Sequence, residues 1–211
     1  MAYPHRGPGE SRIRMMGGMT FAIPPAVPAG SLAASAQPSL TSPDGELLLR
    51  PWQLGDAPVV QSAYRDPDIR RWHLHHVDSA EEARAWIAKH ELSWRQERAA
   101  QWVVTRADSG EAVGRTALRW MDLLHGVAEC AYWVLPHARG KAVAPRALAT
   151  VADWAGGTAG FHRLELAHST DNSPSCRVAV KSGFALEGTR RDAHLHADGW
   201  HDMHVHARIL N

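Results

Sequence analysis

The stretch that most restricts what this chain can fold into is residues 127–155, VAECAYWVLPHARGKAVAPRALATVADWA. Its first third, Val127 to Leu135, is a continuous apolar and aromatic run closed by Pro136, a length and composition that suit a buried central strand. A helix follows at once. Ala144, Ala147, Leu148, Val151, Trp154 and Ala155 recur at helical spacing on one side, with Arg146, Thr150 and Asp153 on the other and Pro145 in the first turn. Arg146 is therefore expected to meet solvent. Between strand and helix lie Arg139-Gly140-Lys141-Ala142-Val143, small or basic residues whose backbone N–H groups can converge beside two cations. Such a loop is an anion site. It is not a P-loop, because no Ser or Thr follows Gly140-Lys141, and the GxGxxG spacing is absent as well.

The rest of the chain bounds this site. At 211 residues there is room for one ordinary domain with an extension. Residues 1–43 are dominated by Pro, Gly, Ala and Ser, so they are expected to stay disordered, with a single domain over 44–211. No apolar run approaches a bilayer span, and no targeting signal with an uninterrupted apolar core is visible; a soluble, cytoplasmic protein with no membrane partner is expected. Lys and Arg total 23 against 22 Asp and Glu, a net charge of +1, which leaves no electrostatic footprint for nucleic acid. The 2 cysteines, Cys130 and Cys176, are too few for a disulfide framework and read as free thiols. The 9 tryptophans are spread through the predicted elements and are expected to fill the core or line a cleft.

In chain order the pattern predicts a strand at Glu46–Arg50 and a helix from about Ala57, with Asp56 as N-cap. A linking segment, Asp66 to Asp78, is rich in polar aromatic groups, and a helix then opens on the capping pair Ser79 and Glu82. Strands at 101–106 and 112–121 are joined by a turn over Ala107 to Gly110. The central strand and helix come next, then a strand at 162–169, a short helix with Ser173 as N-cap, and a final hairpin turning at 197–199. This order predicts an α/β protein, with α and β elements in layers.

Two separate motifs narrow the reading. Tyr132-Trp133-Val134, Pro136 and Arg139-Gly140-x-x-x-Ala144 resemble the acetyl-CoA-binding motif of the GNAT N-acetyltransferase superfamily, closest in look to its RimJ/RimL-like branch. RLELAHSTDNSPSCRVAVKSGFALEG resembles the same family's strand, Asn-x-x-Ser, short helix and Gly-Phe signature, with Asn172, Ser175, Lys181, Gly183 and Phe184 matching. The resemblance covers 46–211 and implies the GNAT fold, a mixed central sheet flanked by helices. It implies acetyl-CoA as co-substrate and a primary amine as acceptor, on a small molecule, a peptide or a protein N-terminus. By the same resemblance, Arg139, Gly140, Lys141, Ala142, Val143 and Ala144 hold the pyrophosphate, and Asn172 is a further cofactor-binding residue. A strand N–H at Trp133 or Val134 polarises the thioester carbonyl, and the Ser175 hydroxyl serves the leaving sulfur. Ala142 stands where the family has glycine, adding a methyl and resisting positive φ.

Glu129 is the candidate general base, a carboxylate in an otherwise apolar strand that must find a partner or a solvated cleft. An ion pair with Arg115 or Arg119 is the alternative for it. His73, His75 and His76 in the rim segment are the other candidate bases. His194, His196, His201, His204 and His206 invite a metal reading, but they lack the spacing of a recognised site and the family's chemistry needs none, so no metal is expected. Cys176 beside Ser175 suggests a covalent nucleophile, against which stands the family's direct transfer. The alternative function is a catalytically weak CoA sensor or interaction module with the same fold. Strand edges in this fold can pair to give a homodimer.

Overall fold

The computed structural model describes residues 23–73 and 76–210. His75 and the first 22 residues lie outside the described residues. Eight strands form one sheet: β1 (Leu40–Thr41), β2 (Leu47–Pro51), β3 (Ala100–Arg106), β4 (Ala112–Asp122), β5 (Val127–Val134), β6 (Arg163–Ser169), β7 (Ala185–His196) and β8 (Gly199–Ile209), in the order β1-β2-β3-β4-β5-β6-β8-β7. Every neighbouring pair is antiparallel except β5 and β6, so the sheet is mixed. The helices are α1 (Ala57–Arg65), α2 (Pro67–Arg71), α3 (Ala80–Arg95), α4 (Val143–Gly157) and α5 (Ser173–Lys181).

Helix α4 buries the apolar stripe read from its spacing: Ala144, Ala147, Leu148, Val151 and Ala155 are buried, the last four packing with Ala128 and Cys130 of β5, while Trp154 is partly covered. The opposite sheet face is covered by α1–α3 through Val60, Tyr64, Ile69 and Ile87, against Val103 and Trp133. Alternation along β5 explains the division, because even-numbered side chains face α4 and odd-numbered ones face α1–α3. Of the tryptophans, Trp52, Trp94, Trp102 and Trp133 are buried, whereas Trp120 and Trp200 are exposed.

Three local readings need correction. Residues 23–43 are not without structure: Val27 is 0% exposed and Leu32 is buried in the main core, so the folded unit begins well before residue 44. Side chains from far along the chain satisfy this segment's backbone. Glu97 accepts the N–H groups of Gly30 (2.6 Å), Leu32 (2.8 Å) and Ala33 (3.1 Å), and the indole N–H groups of Trp94 and Trp102 donate to Ser35 O and Pro38 O. The cap of α5 is Asn172 rather than Ser173; its side chain accepts the Ser175 N–H. Finally, Arg146 does not simply meet solvent but pairs with Asp44 (2.9 Å) and Glu46, tying α4 to the start of β2.

Candidate active site

The one parallel junction of the sheet is also where it opens. β5 and β6 are paired only at Val127↔Arg163, Ala128↔Leu164 and Glu129↔Glu165, although β5 continues to Val134 and β6 to Ser169. Beyond that rung the strands part, and a cavity of about 740 Å³ lies between them, walled by residues 130–134 on one side and 166–169 on the other. Leu135 N–H bonds to Val113 O of the neighbouring β4 segment. By alternation, Trp133 N–H also faces β4, and the N–H groups of Tyr132 and Val134 face the opening, where no strand takes them.

At the far end of the opening the loop turns sharply into α4. Gly140 and Ala142 both have left-handed backbone, at φ +78° and +53°, and Ala142 is the N-cap with no side-chain cap hydrogen bond. The first-turn N–H groups of Val143 and Ala144 are therefore free of side-chain acceptors at the positive end of the helix dipole. Gly140, Ala142, Val143 and Ala144 all line the cavity. Arg139 lines it too, but its guanidinium also pairs with Asp66 and, at 2.8 Å, with Asp68, which fastens the loop to the start of α2. Lys141 is exposed and is not among the lining residues.

Across the opening, Asn172 holds the first turn of α5 so that Ser175 meets β5, and Tyr132 O–H donates to Ser175 Oγ at 3.0 Å. Burial pushes the Tyr132 phenol up to about 12, so it stays a proton donor at neutral pH. Tyr132 belongs to the motif but had no role assigned from sequence; its partner is 43 positions away, and nothing local announces the pairing.

Glu129 is placed differently from the other candidates. It sits on the last paired rung, beside Glu165, and its carboxylate is bound by Arg119 through Nε at 2.9 Å and through the second guanidinium nitrogen. Arg119 lines the cavity, whereas Glu129 does not. Of the candidate histidines, His73 lines the cavity, with Nδ1 at 2.7 Å from Ile69 O, and burial pulls its pKa down to about 4; His76 is exposed and outside it. His194 and His196 line the same end, and both ring nitrogens of His196 are buried without a partner. One further chain escaped the sequence reading: Asp198 Oδ1, His201 and Ser169 Oγ are linked at 2.9 and 2.7 Å, joining the hairpin turn to the cavity wall at Ser169. Cys130 is core, its thiol pushed far up by burial.

Residues 46–185 match a family model described as an acetyltransferase (GNAT) domain. The uncharacterized N-acetyltransferase YoaA of Bacillus subtilis is 25% identical over 146 residues, covering 69% of this chain and 82% of that protein. A ribosomal-protein-serine acetyltransferase of Escherichia coli is 24% identical over 135 residues, covering 64% and 74%. Among solved structures, RimL in complex with coenzyme A superposes with a TM-score of 0.76 at 19% identity, over 82% of this chain and 98% of that one. Mycobacterium smegmatis RimJ gives 0.73 at 23%, over 82% and 86%. The parted strands, the uncapped helix and the hydroxyl pair thus have a family: the chain belongs to the GNAT acetyltransferases and is an acetyl-CoA-dependent N-acetyltransferase.

Proposed function

We propose that acetyl transfer is direct, from acetyl-CoA to a primary amine, at the opening between β5 and β6. The observation that carries this reading is the pairing of Tyr132 with Ser175 opposite the unclaimed N–H of Val134. The thioester supplies the acetyl group. Val134 N–H donates to its carbonyl oxygen as negative charge builds there, and of the two N–H positions expected from sequence this is the one alternation turns toward the opening. Ser175 O–H gives its proton to the departing thiolate while Tyr132 O–H, still protonated at neutral pH, passes its own proton to Ser175 Oγ along their hydrogen bond, and solvent returns a proton to the tyrosine. Gly140, Ala142, Val143 and Ala144 take the pyrophosphate through backbone N–H groups. Arg139 adds positive charge, shared with Asp66 and Asp68, and Lys141 acts from outside as a long-range cation.

For the acceptor, the names of the relatives favour the α-amine of a peptide or protein N-terminus, and the cavity end lined by Asp68, His73, His194 and His196 is where it enters. Glu129 removes the amine proton through intervening water, with Arg119 fixing its carboxylate. The protein works in the cytoplasm, where acetyl-CoA is made available; no helix among the described residues is long and apolar enough to cross a membrane.

Replacing Ser175 by Ala lowers kcat by about 10²-fold with little change in KM for acetyl-CoA, and Tyr132→Phe lowers it less, measured by release of CoA thiol. Unchanged kcat in both variants removes the hydroxyl pair from the mechanism. Glu129→Gln costs more turnover at low pH than at high pH, because alkaline solution supplies neutral amine without help. Equal loss at every pH assigns Glu129 to holding Arg119 instead.

A further inference from the structure

At the cavity wall formed by β6, on the sheet face covered by α5, four side chains from three elements converge. His168 and His204 are directly opposed on β6 and β8, and His206 follows His204 on the same face of β8. Cys176 comes down from α5. One ligand atom from each of His168, Cys176, His204 and His206 lies within 4.8 Å of the others. A tetrahedral zinc-type site, with bonds of 2.0–2.3 Å, has neighbouring ligand atoms about 3.3–3.8 Å apart. His168 Nε2 and His206 Nε2 are already 3.2 Å apart, and the wider separations, up to 4.8 Å, close by about 1 Å to reach that geometry.

The protons give the independent argument. His168 Nδ1 is 2.8 Å from Ser169 O and His206 Nδ1 is 3.4 Å from Phe184 O, so carbonyl oxygens call for hydrogen on both Nδ1 atoms. Both Nε2 atoms then present lone pairs to each other. Turning one ring's proton inward mends that contact only by pointing a lone pair at a carbonyl. His204 Nδ1 is buried with no hydrogen-bond partner. An imidazole whose Nδ1–H is held by a backbone carbonyl while Nε2 faces a common point is the arrangement of a metal-ligating histidine.

We infer that His168, Cys176, His204 and His206 bind one divalent transition-metal ion of the zinc class, which ties α5 to β6 and β8. The three imidazoles bind neutral, and the Cys176 thiol releases its proton to solvent as the metal–sulfur bond forms. Three nitrogens and a thiolate suit a borderline-soft tetrahedral ion. Four protein ligands leave no open position, so the metal is structural and takes no part in acyl transfer. It also removes Cys176 from consideration as an acetyl acceptor. The sequence concealed the site because its ligands are dispersed over a strand, a helix and a second strand, with no motif spacing beyond His204-x-His206.

The test is a cobalt titration of the tag-free full chain after treatment with a chelator. The site predicts the strong visible bands of tetrahedral Co²⁺ and a thiolate-to-cobalt charge-transfer band, saturating at one ion per chain and abolished by added Zn²⁺, which raises the melting temperature. Cys176→Ser removes the charge-transfer band, and His204→Ala weakens Co²⁺ binding by about tenfold or more, with circular dichroism confirming that each variant is folded. The unaltered chain decides the matter even if a variant does not fold: no saturable binding, or the pale spectrum of octahedral cobalt, overturns the site. A charge-transfer band that survives in folded Cys176→Ser overturns it too.

Discussion

At position 142 an alanine occupies a backbone state, φ +53° and ψ +25°, that a Cβ makes unfavourable. The loop needs a left-handed residue there to turn the N–H groups of α4 toward the cavity, and the neighbouring left-handed position is filled by Gly140. Ala142→Gly is expected to raise stability by about 1 kcal/mol, after the greater freedom of glycine in the unfolded chain is set against the relief of strain. Chemical denaturation measures it, and calorimetry on the same variant is expected to show acetyl-CoA bound as tightly or more tightly. A destabilised variant, or one with much weaker binding, contradicts the strain argument. The departure at 142 was legible in the sequence. So was the need of Glu129 for a partner, because a carboxylate in an apolar strand cannot stand alone, and Arg119 was one of two partners foreseen. The hydroxyl pair of Tyr132 and Ser175 was not, since it depends on how α5 sits over β5.

Among the elements, α4 was legible because it carries a strong helical period within a short window, and β5 because a continuous apolar run of strand length ends at Pro136. The segment 23–43 was misread for the converse reason. Its own residues bury little, and what orders it is supplied from elsewhere, chiefly by Glu97, whose carboxylate gathers three backbone N–H groups. Glu97 itself has positive φ, +54°, at the turn after α3, so the chain accepts local strain to aim that side chain. Glu97→Ala is expected to cost about 1–3 kcal/mol, since it leaves the buried Leu32 N–H without its acceptor and releases those of Gly30 and Ala33. A chain starting at residue 44 is expected to lose at least as much by uncovering Trp94 and Trp102. Urea midpoints for the two variants check this; values within error of the full chain contradict it. The gap between β5 and β6 was likewise invisible in sequence, because both strands read as complete and only their pairing stops at residue 129.

For the molecule as a whole, buried neutral histidines set the response to acid. Burial lowers His73 from 6.5 to about 4 and His90 from 6.5 to about 3. In both, the unfolded chain takes up a proton at a higher pH than the folded one. Their contribution to stability is therefore intact above pH 6.5 and falls as pH drops from 6.5 towards 3–4. Unfolding curves across that window are expected to show a decline that becomes shallower in His90→Phe, which keeps an aromatic ring against Trp86. An unchanged slope contradicts the assignment. What the gap in the sheet does is read by incubating the full chain with acetyl-CoA and a panel of amines and N-terminal peptides, with products and protein both weighed by mass spectrometry. The prediction is an acceptor heavier by one acetyl group, an equal amount of free CoA and a protein of unchanged mass. Tight binding of acetyl-CoA with no acetylated amine anywhere in the panel, or an acetylated protein as the obligatory intermediate, contradicts it.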